Sequence, residues 1–135
     1  MNPPTFLGSS ALVALGGGLG AWLRYIVSRV WIAAIGPIAA SAFPWATLTV
    51  NVVGSFAMGL LAGWLARYGQ GGESWRLLLG VGVMGGFTTF SAFSLELVSM
   101  IQRGALSNAA LYMGLSLAGG IAGLLLGLTA MRALA

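Results

Sequence analysis

The side chains of this sequence that can touch an ion without reacting with it gather in one run: Gly85-Gly86-Phe87-Thr88-Thr89-Phe90-Ser91-Ala92-Phe93-Ser94. Paired glycines, then β-branched threonines, then hydroxyls make a poor helix. If the chain breaks there, freed carbonyls attract cations. The N–H groups opening the next half-helix attract anions. If the helix continues, Ser and Thr bond back to carbonyls of their own turn and no backbone is freed. On composition alone both readings stand.

Other candidates surround this run. Phe90 and Phe93 are three apart, so on a resumed helix they share a face. Aromatic edges are positive, so such rings can meet a small anion edge-on, or simply pack. Asn51 lies inside an apolar stretch, on a face with Thr47, Ser55 and Gly59. Its amide has two donors, suited to an anion or to a neighbouring helix. Tyr112 and Ser116, one turn apart, can extend a hydroxyl track, although a tyrosine also anchors helices at a membrane surface. Glu96 and Arg24 read as lying near helix ends, where each can snorkel or find an opposite charge.

The residues that are missing restrict function further. The sequence has no His, Cys, Asp or Lys, and its two carboxylates are Glu73 and Glu96. Thiolate and imidazole metal sites, Cys and His nucleophiles and disulfides are thereby excluded. The chain does not read as an enzyme. Its six basic residues, all Arg, are scattered, which argues against nucleic-acid binding.

These groups must be positioned by elements made for lipid. The 135 residues are 59% hydrophobic and 6% charged, against roughly 25% charged in a soluble domain. A helix crosses the hydrocarbon core with about 20 apolar residues. Four stretches qualify: about 6–27, 44–66, 77–101 and 109–131. The first lacks the basic start and cleavage site of a signal peptide. Residues 31–43 are interrupted by Gly36 and Pro37 and read as an interfacial connection. Polar segments 68–74 and 103–108 separate the later spans. Small residues recur four apart, as in Gly16/Gly20, Gly59/Gly63 and Gly119/Gly123/Gly127, a spacing that lets helices approach closely in lipid. Arg24, Arg29 and Arg103 fall on one side, and Arg67, Arg76 and Arg132 on the other. Orientation normally follows an excess of Lys and Arg inside. The even count leaves one deciding Arg, or insertion both ways with antiparallel pairing.

Three segments together resemble the Fluc (CrcB) family of fluoride channels: Gly17-Gly18-Leu19-Gly20-Ala21-Trp22-Leu23-Arg24-Tyr25, then Thr47-Leu48-Thr49-Val50-Asn51 with Gly54, Ser55 and Phe56, then residues 85–93 followed by Glu96. The resemblance implies an all-α membrane protein of four transmembrane helices, the third broken at its centre. It implies an antiparallel, dual-topology homodimer in the cell (inner, cytoplasmic) membrane, carrying two fluoride pores. Asn51, Thr89, Phe90, Ser91, Phe93, Tyr112 and Ser116 would belong to the pore. Backbone carbonyls of Gly85 and Thr88 from both copies would hold a structural sodium ion. Arg24 and Glu96 match family positions without an assigned role here. The implied activity is passive, selective fluoride efflux that relieves toxicity. Ala46, Ala92 and Gly120 depart from the family's usual residues, Ala92 and Gly120 each removing a hydroxyl near the pore. Two alternatives are a small proton-coupled multidrug exporter, which needs a deep ionisable group and has only Glu96, and a non-transporting assembly protein, which leaves residues 85–93 unexplained.

Overall fold

The structure, a computed structural model, describes residues 5–68 and 72–134. Helix α1 (Phe6–Ala42) opens on Thr5, whose hydroxyl accepts the Gly8 N–H at 3.3 Å. It runs unbroken to Ile35 because residues 28–35 contain no Gly or Pro. Gly36 then turns the chain with φ 80° and ψ 159°, a conformation open to glycine, and Pro37 starts a short final segment. The expected interruption is therefore present, but helix extends well past residue 27 on its near side. Hydrocarbon thickness limits how much of a helix is immersed, not where the helix stops.

Helix α2 (Trp45–Tyr68) follows directly. The expected connector at 68–74 falls partly on residues 69–71, outside the described residues. The third span, Glu73–Gln102, is composite. It comprises α3 (Glu73–Trp75), a π-helical stretch Arg76–Met84, α4 (Gly85–Phe87) and α5 (Phe90–Gln102). Between α4 and α5, Thr88 (φ −79°, ψ 157°) and Thr89 (φ −151°, ψ 121°) are extended. The third helix is thus broken near its middle. Gly104, at φ 75°, turns the chain into α6 (Leu106–Ala133), which starts three residues before the expected fourth span.

All four spans are long and apolar enough to cross a membrane. They pack as two glycine-seamed parallel pairs. In one, a side chain on Gly16 would strike the Leu78 carbonyl, one on Gly20 the Val83 carbonyl, and one on Gly86 the Gly17 carbonyl. In the other, Gly59 lies against the Leu124 carbonyl and Gly127 against the Phe56 carbonyl. Backbone contact of this kind is how helices associate where hydrophobic attraction is absent. The stacked rings of Trp31 and Trp45, 5.7 Å apart, and the Trp31 Nε1–H donating to Thr49 Oγ1 at 3.1 Å tie α1 to the start of α2. The apolar core is small, built on Phe43, Phe93, Met100, Ala109 and Tyr112.

Gly20→Val should destabilise the bundle by about 1–3 kcal/mol or more, because its new carbons meet fixed backbone. Gly18→Ala, with nothing within 4 Å of the added carbon, should fold like the unmodified chain. Thermal aggregation midpoints in detergent would show this, and equal midpoints for the two variants would contradict the seam.

Candidate functional site

The break exposes backbone that needs partners, and α2 supplies them. Asn51 faces Thr89 with both ends of its amide: Oδ1 accepts the Thr89 N–H at 2.8 Å, and Nδ2 donates to the Thr89 carbonyl at 3.1 Å. Thr89 also caps α5, its Oγ1 accepting the Ala92 N–H at 3.2 Å. Its hydroxyl lies 3.3 Å from that of Ser91. On the other side, Thr88 Oγ1 donates to the Met84 carbonyl at 2.8 Å.

These bonds have a consequence for two carbonyls. In an unbroken helix Gly85 C=O would accept from Thr89 N–H, and Thr88 C=O from Ala92 N–H. Both donors are committed to side chains, Asn51 Oδ1 and Thr89 Oγ1. Gly85 and Thr88 carbonyls thus lack their usual helical donors, and main-chain oxygens are the kind of group that coordinates cations in ion channels. No cluster of three or more His, Cys, Asp or Glu side chains exists among the described residues, so an ion here would rest on backbone oxygen.

The two phenylalanines have opposite surroundings. Phe93 is 8% exposed, with its ring 5.1 Å from Tyr112 and 5.8 Å from Phe90. Phe90 is 78% exposed, projecting from the break away from its own chain. A cavity of about 270 Å³ adjoins it, lined by Asn51, Ser55, Thr88, Thr89 and Phe90 among others. Toward one end, Glu96 joins three helices. Thr47 Oγ1 donates to its Oε1 and Tyr112 Oη to its Oε2, each at 2.7 Å. A larger cavity, about 640 Å³, reaches this carboxylate between α1, α2 and α5, with Arg103 also in its wall. Ser116 Oγ is buried and, among the described residues, has no hydrogen-bond partner.

A sequence profile of the CrcB-like proteins (Camphor Resistance, CrcB) matches residues 11–128. The chain belongs to this family. Among the family's curated members, it is 58% identical to the fluoride-specific ion channel FluC of Novosphingobium aromaticivorans over 127 residues, covering 94% of this chain and 98% of that protein. It is 49% identical to the FluC of Erythrobacter litoralis over 131 residues, covering 96% and 95%. The FluC of Sphingopyxis alaskensis is 50% identical over 109 residues, covering 81% and 83%.

With the family known, the sequence candidates can be placed. Asn51, Thr89, Phe90, Ser91 and Phe93 gather at the break, Thr88 is part of it, and Gly85 opens the short α4 that leads into it. Tyr112 reaches the same cluster through Phe93 and Glu96. Arg24 differs from expectation. Gly20 packs against Val83 and Phe87, so Arg24, one turn further along a parallel helix, lies level with the break and not at a helix end. Among the described residues it makes no hydrogen bond or ion pair. Sequence reasoning missed Thr47 as a donor to Glu96; the available signal was its place one turn before Asn51 on the same face.

Tyr112→Phe should lower stability by about 1.5–3 kcal/mol, because it strips a donor from a carboxylate. Ser116→Ala breaks no bond and should stay within about 0.5 kcal/mol. Denaturation in detergent measures both; a Tyr112→Phe variant as stable as Ser116→Ala would remove the carboxylate's structural role.

Proposed function

We propose that this chain is a passive, fluoride-selective channel of the cell membrane, working as an inverted pair of identical chains and relieving fluoride toxicity by efflux. The observation that carries the activity is identity of 58% across nearly all of a fluoride-specific channel. The pairing draws support from the break. Gly85, Phe90 and Ser91 lie on the exposed surface of the single chain, at mid-span. Lipid cannot satisfy opened backbone at that depth, so protein or trapped water must cover it. A second copy presenting the same face would do so. The near balance of arginines allows it to insert the other way up.

Fluoride is small and strongly hydrated, so its water must be replaced by several weak partners. One strong site would hold it too long, since conduction needs binding that also releases. This chain offers such partners along a line. They are the second N–H of Asn51, the Ser91 and Ser116 hydroxyls, and the edges of Phe90 and Phe93. Phe90 points out of its own chain, so in the pair it would face a pore walled partly by the partner. Glu96, with Thr47 and Tyr112 donating to both its oxygens, orders the hydroxyls above this line. Gly85 and Thr88 carbonyls would hold a sodium ion at the pair's axis, supplying fixed positive charge beside the break.

The exporter alternative gains nothing from the geometry, since both oxygens of its one candidate carboxylate are engaged in holding helices together. The channel reading is tested in liposomes loaded with potassium fluoride. Valinomycin should release fluoride, read by electrode, with no proton gradient, while chloride-loaded vesicles stay closed. No release above protein-free vesicles would reject a channel. Phe93→Ile should abolish the flux with the pair still assembled; unchanged flux would take that ring out of the pore. Labels on the N-terminus should be reached from both membrane faces in similar amounts, and access from one face alone would reject dual insertion.

A further inference from the structure

Helix α5 begins with a carbonyl and a donor that fail to meet. The Thr88 C=O and the Ala92 N–H are a natural i, i+4 pair, yet the N–H turns to Thr89 Oγ1. Three residues earlier the Gly85 C=O and the Thr89 N–H are another such pair, and here the N–H turns to Asn51 Oδ1. Two side chains thus intercept the pairs at either edge of the four that would close the helix across the break. Each interceptor is itself fixed. Thr89 is 8% exposed, and Asn51 is held by its second bond to the Thr89 carbonyl.

We propose that Asn51 and Thr89 are positioning residues that create the cation site by keeping backbone donors away from the Gly85 and Thr88 carbonyls. This rests on the reading that a monovalent cation binds those oxygens. Neither side chain need touch the ion. Their work is to stop the chain from satisfying its own carbonyls. A helix of ordinary composition would close over residues 85–92 and leave no oxygen free, because each N–H would find its i−4 carbonyl. Asn51 contributes the larger share, since it satisfies both backbone groups of Thr89 and so makes an extended residue tolerable in hydrocarbon. On this account the amide of Asn51 is structural with one N–H and free to meet an anion with the other.

The isosteric change Thr89→Val, set beside Thr89→Ser, separates this role from packing. Valine keeps shape and removes the acceptor; serine keeps the acceptor. Thermal unfolding of the purified assembly is followed as sodium replaces N-methylglucamine. The unmodified chain should gain stability with sodium. In Thr89→Val the half-maximal sodium concentration should rise at least tenfold, and Thr89→Ser should restore it to within about threefold. Sodium dependence in the unmodified chain together with an unshifted Thr89→Val would overturn the proposal. No sodium dependence in the unmodified chain would instead overturn the cation reading beneath it. A second measurement needs no variant. Isotope-edited infrared spectra of chains carrying a labelled carbonyl at Gly85 or Thr88 should show unbonded carbonyls without sodium, and shifted bands with it. Helix-like bands at both positions in sodium-free buffer would reject the interception.

Discussion

Hydrocarbon offers no hydrogen bonds, so every peptide group that leaves a transmembrane helix must find a partner in protein or trapped water. The interruption at Thr88 and Thr89 raises this demand at mid-span, where it is hardest to meet. The polar residues of the bundle are arranged around it. Asn51 takes both backbone groups of Thr89, and the Thr89 hydroxyl takes the N–H of Ala92. On the proposed reading, the opening and the ion site would be one event: carbonyls become available because their donors have been claimed elsewhere.

Such an arrangement needs a rigid frame, and glycine supplies it. Gly16 and Gly20 bring α1 onto the carbonyls of Leu78 and Val83, so the half of the third span leading to the break is held backbone to backbone. Gly59 and Gly127 do the same for α2 and α6, which carry Asn51 and Tyr112. Glu96 links the two sets from α5 by accepting from both Thr47 and Tyr112. The break therefore lies between two stiff pairs, and a shift in either would move an interceptor away from its donor.

Much of this was legible in the sequence, and the rest was illegible for definable reasons. The run from Gly85 to Phe93 announced a weak helix by propensity, and the glycine spacing announced the seams. Spans were readable because apolar length is a local property. Partners were not. That Asn51 would spend one donor and its acceptor on Thr89 depends on a contact between residues 38 apart in sequence. The Thr47–Glu96 bond, between residues 49 apart, is hidden for the same reason. The π-helical stretch Arg76–Met84 carries no breaker that composition could flag, beyond Gly80 and Gly82, which serve the seam with α1 and its neighbours. Arg24 was misplaced because immersion was equated with helix length. Because α1 runs on to Gly36, the Arg24 backbone falls at the depth of the break.

That relocation changes the charge count on which dual insertion leans. Removing Arg24 from its side leaves Arg29 and Arg103 against Arg67, Arg76 and Arg132, two against three. The balance survives within one charge, too slight a bias to dominate insertion by the positive-inside rule. The relocation also adds a demand. A guanidinium with no partner among the described residues is expensive at this depth and must reach protein or water. Among the described residues, Phe90 is likewise exposed, and the Gly85 and Thr88 carbonyls lack their helical donors. Lipid can satisfy the ring but none of the polar groups. An inverted copy would bring the same groups back at the same depth, because inversion about the membrane centre preserves only what lies near that centre. The features that a single chain leaves open are therefore the ones an antiparallel pair can close.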